Sequence, residues 1–455
     1  MSNKRTILFV TTLSSFLTPF MGSAINIALP EIGKEMNMNT IQLGWVATSY
    51  LLAAAVFLLP FGRLADRNGR KKLFMYGIIL FGVASGLFAL AFNWWILILS
   101  RTLNGIGGAM IYATALAILT SAFPKNERGK ALGINVASVY LGLSLGPTLG
   151  GFLTMYLGWR SIFAFTAILS VIILVFAGQK LADDKKPLST IPFDTNGSLI
   201  YGISLALFIY GFPLLPSLSG IVIVTAGLIG FVLFGKQENK AKEPLLDMHI
   251  FRKNHVFLFS NFAAFINYSA TYALVFLLSF YLQQIKHMSP AEAGMILMSQ
   301  PVMMTLFSPL AGILSDRIEP AIVASIGMGI TVAGLIAFAF ITATTGIWII
   351  VLLLMFLGLG FALFSSPNTN AVMSSVSPPQ YGIASATLGT MRLTGQTMSM
   401  GISMLIMAVI IGKSVQGAVY TAGLLKSIHL TFLVFSLLCL AGTFFSMKRG
   451  SLRSS

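Results

Sequence analysis

Apolar positions in this chain come in long unbroken stretches rather than with the alternation of a half-buried strand or the one-sided stripe of a soluble helix. The stretches run approximately 7–29, 41–61, 73–92, 95–123, 131–153, 160–178, 196–216, 218–236, 257–282, 291–314, 320–342, 346–366, 383–411 and 430–447, with short charged or Pro/Gly-rich breaks between them. A spanning helix needs about 20 mostly apolar residues to cross ~30 Å of hydrocarbon. The pattern therefore predicts an all-α polytopic membrane protein with about 14 transmembrane helices. The first stretch follows Lys4 and Arg5 and reaches Pro30 without a small-residue cleavage site before Glu31, so it reads as a retained helix and not a secretory signal.

The break after the second stretch, GRLADRNGRKK, matches the break after the tenth, GILSDRIEP, at Gly62/Gly312, Leu64/Leu314, Asp66/Asp316 and Arg67/Arg317. That register places spans 1–6 and 9–14 as two pseudo-symmetric six-helix bundles and leaves spans 7 and 8 as an inserted pair. The expected organisation is an N-terminal bundle over 1–180, two inserted helices and a polar linker over 181–256, and a C-terminal bundle over 257–455. An amphipathic piece at Leu245–Phe251 would lie on the membrane face.

Composition sharpens this picture. With 56% hydrophobic and 9% charged residues and a mean hydropathy of +0.86, the chain cannot hide its apolar surface in a soluble core. The net charge of +16 is carried on alternate loops, which is the positive-inside pattern and not a nucleic-acid surface; it predicts an even span count with both termini cytoplasmic. The four histidines are scattered without metal-ligand spacing, Cys439 stands alone, and no phosphate-binding Gly-Lys-Ser/Thr loop occurs. The residues thus argue against an enzyme and an ATP-driven pump, and no cofactor or metal is expected.

Three clusters carry the functional signal. Gly62-Arg63-Leu64-Ala65-Asp66-Arg67-Asn68-Gly69-Arg70-Lys71-Lys72 places an acid and two glycines in a basic loop, where orientation alone would ask only for cations. Gly62 would let helix ends approach, Gly69 would make the turn, and Asp66 would accept charge-assisted hydrogen bonds in a latch with Arg67 and Arg70, with Asp316 and Arg317 as the counterpart. Arg101 opens Arg101-Thr102-Leu103-Asn104-Gly105-Ile106-Gly107-Gly108 inside helix 4, where an intramembrane cation is costly and either functional or snorkelling to an end. Gly142, Gly146, Pro147, Gly150 and Gly151 give helix 5 small residues four apart, either for ordinary tight packing or for a rocking contact between halves.

With these three, essentially the whole chain resembles the major facilitator superfamily, and within it the fourteen-helix drug:proton antiporters. The resemblance implies a secondary transporter that exports small amphipathic or hydrophobic compounds by alternating access, coupled to protons. It also ties Arg101 to proton exchange, and Asp66, an acid at a helix end, is the second coupling candidate. One position departs from the pattern: where those antiporters carry a helix 1 carboxylate, this chain has Met21, and all thirteen acids fall in loops or at helix ends. The remaining candidates for a cavity are Asn26, Tyr50, Tyr112, Asn135, Tyr140, Tyr268, Tyr272 and Gln300, with Arg392 and Gln396 in helix 13. Any one of them could equally be interhelical glue or core packing. The expected partners are a small-molecule substrate, protons and the lipid bilayer, with the protein a monomer in a prokaryotic inner membrane. A uniporter or antiporter of an organic anion or lipid-like solute, using Arg101 and Arg392 as counter-charges, and a non-transporting membrane sensor are the rival readings.

Overall fold

The structure, a computed structural model, describes residues 4–123, 125–180, 194–241, 244–246, 251, 253–376, 381–411 and 418–450. Its rods are α1 (Lys4–Met36), α2 (Thr40–Asn68), α3 (Arg70–Ala89), α4 (Trp94–Ala122), α5 (Lys125–Leu157), α6 (Arg160–Lys180), α7 (Thr195–Gly211) and α8 (Leu218–Glu238). They continue with α9 (His255–Ile285), α10 (Pro290–Leu297, resuming as Ser299–Arg317), α11 (Pro320–Phe338), α12 (Ile347–Ser374), α13 (Tyr381–Ile410) and α14 (Ala418–Lys448). Thirteen of these are long and apolar enough to cross a membrane, and α5 is the fourteenth rod. The last helix begins twelve residues before its apolar stretch, because Tyr420, Leu424 and Ile428 bury one face of an otherwise mixed segment.

Polar caps set where the rods begin. Asn39 and Gln42 form a reciprocal capping box at the start of α2, and Ser289 and Glu292 do the same at α10. Asn93, Ser217 and Asn254 accept from backbone N–H groups that α4, α8 and α9 would otherwise leave unpaired.

Packing repeats with an offset of eight helices. Within the first six, α1 packs on α5 and α6, α2 on α4, and α3 on α4 and α6; within the last six, α9 packs on α13 and α14, α10 on α12, and α11 on α12 and α14. The two bundles then meet through α2 against α13 and α5 against α10, which are equivalent contacts under the same offset. The inserted pair folds as a hairpin: α7 docks on α2, where the Tyr201 hydroxyl donates to Ala55 O at 3.1 Å, and α8 packs on α7. At the foot of this hairpin Asp194 caps α7 and Glu238 accepts from Leu246 N at 2.8 Å, burying Leu245 and Leu246 against the bundle. The rest of the expected amphipathic piece, 247–250, lies outside the described residues.

Among the described residues, five hydrogen bonds join the two bundles toward the sparsely charged end. Ser279 Oγ donates to Asn26 O at 2.7 Å, Gln283 Nε2 to Ile27 O at 3.0 Å, and the hydroxyls of Thr40 and Tyr420 are 3.1 Å apart. Thr48 and Thr148 reach the sulfurs of Met404 and Met298 at 3.5 and 3.1 Å. This end is also where Glu35 accepts from Trp159 Nε1 at 2.7 Å and Arg160 Nη1 at 2.5 Å.

Candidate solute-binding centre

The glycines of the helix 4 cluster have distinct partners. A Cβ on Gly105 would strike Tyr50 O and one on Gly108 would come within 3.2 Å of the Tyr50 hydroxyl, so these two bring α2 onto α4. A Cβ on Gly107 would meet Phe81 N at 2.8 Å, and Asn104 Nδ2 donates to Phe81 O at 2.9 Å and Ser85 Oγ at 3.1 Å, which ties α4 to α3. The close approach of α2 seats the Tyr50 ring under Arg101. The guanidinium carbon lies 4.5 Å from the ring centroid, and Nε donates to Val46 O at 3.1 Å.

Arg101 does not snorkel: only 1% of it is exposed. Its Nη1 is buried without a hydrogen-bond partner. Tyr50 and Tyr272 surround it electrostatically. On the other bundle, Arg392 sits 5.1 Å over the ring of Tyr268, with its Nε buried and unpartnered. Tyr112 stands close enough to both groups to interact electrostatically with Arg392, Tyr50 and Tyr272. Tyr140 approaches Tyr268 from α5, and the Tyr268 ring packs edge-on against Phe361 at 5.3 Å. Tyr112 is 39% exposed although it stands at the middle of α4 between the bundles, so the cluster borders open space and is not a packed core.

Other predicted residues fall elsewhere. Asn135 is interhelical glue, donating to Thr11 O at 3.2 Å and Ser15 Oγ at 2.9 Å between α5 and α1, and so is not free to orient a ligand. Asn26 returns its Nδ2 to Gly22 O at 3.2 Å and gives its backbone carbonyl to the seal between bundles. Gln300 lies buried on α10, its carbonyl where Gly358 of α12 approaches. Gln396 is half-buried one turn along α13 from Arg392. Met21 is wholly buried in apolar packing, and among the described residues no carboxylate joins the cluster: Glu31, Glu35, Glu292 and Glu319 sit at helix ends, and Asp194 and Glu238 at the foot of the hairpin.

The helix 5 glycines divide by face. Positions 142, 146 and 150 share one helix face and 147 and 151 the next. A Cβ on Gly142 would meet Phe16 O at 2.5 Å, on Gly146 Ser23 Oγ, and on Gly150 Ala24 Cβ at 2.9 Å, all within the first bundle. Those three therefore set α1–α5 spacing, the tight-packing alternative of the two the sequence left open. Only Gly151, against Pro290 O, and Pro147, whose carbonyl abuts Gly294, touch the other bundle.

The loop signature is also revised. Nothing lies within 4 Å of a Cβ built on Gly62, so it is no close approach; Gly69, with φ +103°, does make the turn between α2 and α3. Arg63 Nη2 donates to Pro244 O of the linker, Arg70 opens α3, and Arg67 and Arg317 are exposed. The side chains of Asp66 and Asp316 lie outside the described residues. The seal residues Ser279, Gln283 and Met404 were not singled out by the sequence, because a hydroxyl, an amide and a thioether in apolar helices carry no periodic signal.

The sequence model described as Major Facilitator Superfamily matches residues 11–395 and 260–451. The chain belongs to that superfamily. It is 32% identical over 395 residues to the riboflavin transporter RibZ of Clostridioides difficile, covering 86% of each chain. It is 28% identical to the multidrug resistance protein Stp of Mycobacterium tuberculosis, over 87% of this chain and 74% of that one. The tetracenomycin C resistance and export protein of Streptomyces glaucescens is also 28% identical, over 79% and 68%. Among solved structures, the fold is shared with an inward-facing bacterial homologue of the lysosomal transporter Spinster (TM-score 0.69, 18% identity, 99% and 98% covered). It is shared too with a D-xylose–proton symporter (TM-score 0.70, 14% identity, 98% and 99% covered).

Proposed function

We propose that this major facilitator exports small amphipathic or hydrophobic compounds by alternating access, with its basic end in the cytoplasm of a prokaryotic inner membrane. The observation that carries this reading is the seal at the sparsely charged end: among the described residues, hydrogen bonds join the bundles there, while Tyr112 faces open space midway. A solute loads at the centre while the outer end is shut. The bundles, taken as 1–180 and 257–455 with 181–256 riding between them, then rock about the centre and part at Pro147 and Gly151. The basic end closes in exchange, latched by Asp66, Arg67, Gly69 and Arg70 with Asp316 and Arg317. The relatives named for multidrug resistance and export support the direction, and RibZ supports a solute of this size.

Proton antiport, with Arg101 and Asp66 in the coupling path, is the proposed driving reaction, and the monomer is the working unit. It rests on the signatures of the loop and helix 4, since no described carboxylate stands at the centre. The test is flux of lipophilic dyes by purified protein in sealed vesicles. Dye movement that follows an imposed pH gradient supports exchange; movement indifferent to the gradient removes the proton and leaves a facilitator; absence of movement for every dye overturns the export reading.

A further inference from the structure

The charge and ring content of the centre say what it takes. Arg101 and Arg392 each have a nitrogen buried without a partner, and no described carboxylate balances either cation. Buried cations without a counter-charge are unfavourable, and the Tyr50 and Tyr268 rings compensate them only in part. A solute that brings carbonyl or oxyanion acceptors completes the centre, whereas a permanently cationic one adds repulsion in a medium where charge is poorly screened.

The rings add a second requirement. Tyr50 and Tyr268 each have a guanidinium over one face, but neither Tyr112 nor Tyr272 packs its ring against another ring among the described residues. Tyr112 combines this with its exposure at the centre, which leaves an aromatic face open to a flat partner. Of the two arginines, Arg392 is only half-buried and can touch a solute. Arg101, 1% exposed and seated over the Tyr50 ring, acts through its field, as a positioning residue.

We infer that the solute is a planar aromatic molecule rich in hydrogen-bond acceptors, neutral or anionic, stacked on Tyr112 and held at an acceptor edge by Arg392, and that lipophilic cations are refused. This rests on the export reading and narrows its substrate to a class opposite in charge to what a cavity carboxylate would select.

Two xanthene dyes of the same ring skeleton and opposite charge test it, by fluorescence anisotropy on the full chain in detergent: fluorescein and rhodamine 6G. Fluorescein should bind at least about 100-fold more tightly, the order expected of a charge reversal in a weakly screened site. Arg392→Gln should weaken fluorescein by roughly tenfold or more and narrow the gap between dyes. Arg392→Lys, which keeps the charge without the planar fork, should retain the preference at lower affinity. Tyr112→Leu should weaken both dyes alike. Rhodamine 6G binding as tightly as fluorescein, fluorescein failing to bind, or a well-folded Arg392→Gln that leaves the dye ratio unchanged would each overturn the proposal. Since binding is read without a membrane or gradient, fluorescein bound but never moved refutes export alone, and rhodamine 6G exported in vesicles refutes the class alone.

Discussion

Neighbouring glycines on α5 should behave oppositely, and the difference can be worked from the packing. A valine at Gly151 would drive its Cβ into Pro290 O across the boundary between bundles, with Ala291 Cα only 3.0 Å away. Overpacking of this kind costs about 2 kcal/mol. Under the proposed alternating access the contact exists only while the outer end is shut, so nearly all of that cost falls on the closed-outside state. The outward-open population should rise by roughly 30-fold, at about 1.4 kcal/mol per decade. A valine at Gly150 meets Ala24 Cβ at 2.9 Å, inside one bundle and in both states, so it should lower stability without moving the balance. Ser279 lies in the seal, wholly buried, and reports on it as Ser279→Cys in a Cys439→Ser background, which removes the chain's only cysteine. Labelling by a membrane-impermeant maleimide from outside should quicken about tenfold or more in Gly151→Val and stay at the parent rate in Gly150→Val. Equal rates for the two variants would refute the argument that the outer seal and the α1–α5 spacing are separate uses of one helix.

Other outcomes follow from the same structure. Arg449 is buried just beyond α14, donating to Asn368 Oδ1 at 3.0 Å, Ser446 O at 2.8 Å and Ser260 Oγ at 3.3 Å; Arg449→Ala should cost about 2–3 kcal/mol in thermal unfolding, and a loss below 1 kcal/mol would show that the site collapses freely. Burial pushes the proton affinity of that guanidinium down to about 10, with Glu319 opposing. The charged form is therefore disfavoured by folding at every pH below 10, and the penalty eases only above it, so Arg449 should add no pH dependence to stability between about pH 6 and pH 9. Glu238 Oε1 and Asp194 Oδ2 are both buried and unpartnered, 2.6 and 2.5 Å from one Cβ position on Gly197; Glu238→Gln turns one acceptor into a donor and should stabilise the hairpin by about 1 kcal/mol, where a lower melting temperature would count against it. Glu35 and Arg160, 47% and 40% exposed, should tolerate Glu35→Gln for less than about 1 kcal/mol, with a salt titration showing the residual effect fading.

Much of the architecture was legible before any coordinates. Fourteen rods follow from the spacing of apolar stretches, because each crossing needs about 20 apolar residues and a helix bonds its own backbone groups where lipid offers them no partner. The register between Gly62–Arg67 and Gly312–Arg317 announced the pseudo-symmetry, and the replacement of a helix 1 acid by Met21 is a fact of sequence alone. Which polar residues converge was not legible. Asn135 and Tyr112 look alike as polar residues in apolar helices, yet one ties α5 to α1 and the other faces open space between the bundles. Hydropathy cannot separate them, since lipid and protein interior are equally apolar and the pattern does not record which way a helix is turned. Only the rotation of each rod and the identity of its neighbours decided that Gly150 spaces one bundle while Gly151 meets the other, and that Arg101 and Arg392, 291 positions apart in the chain, each stand over a tyrosine ring of the same cluster.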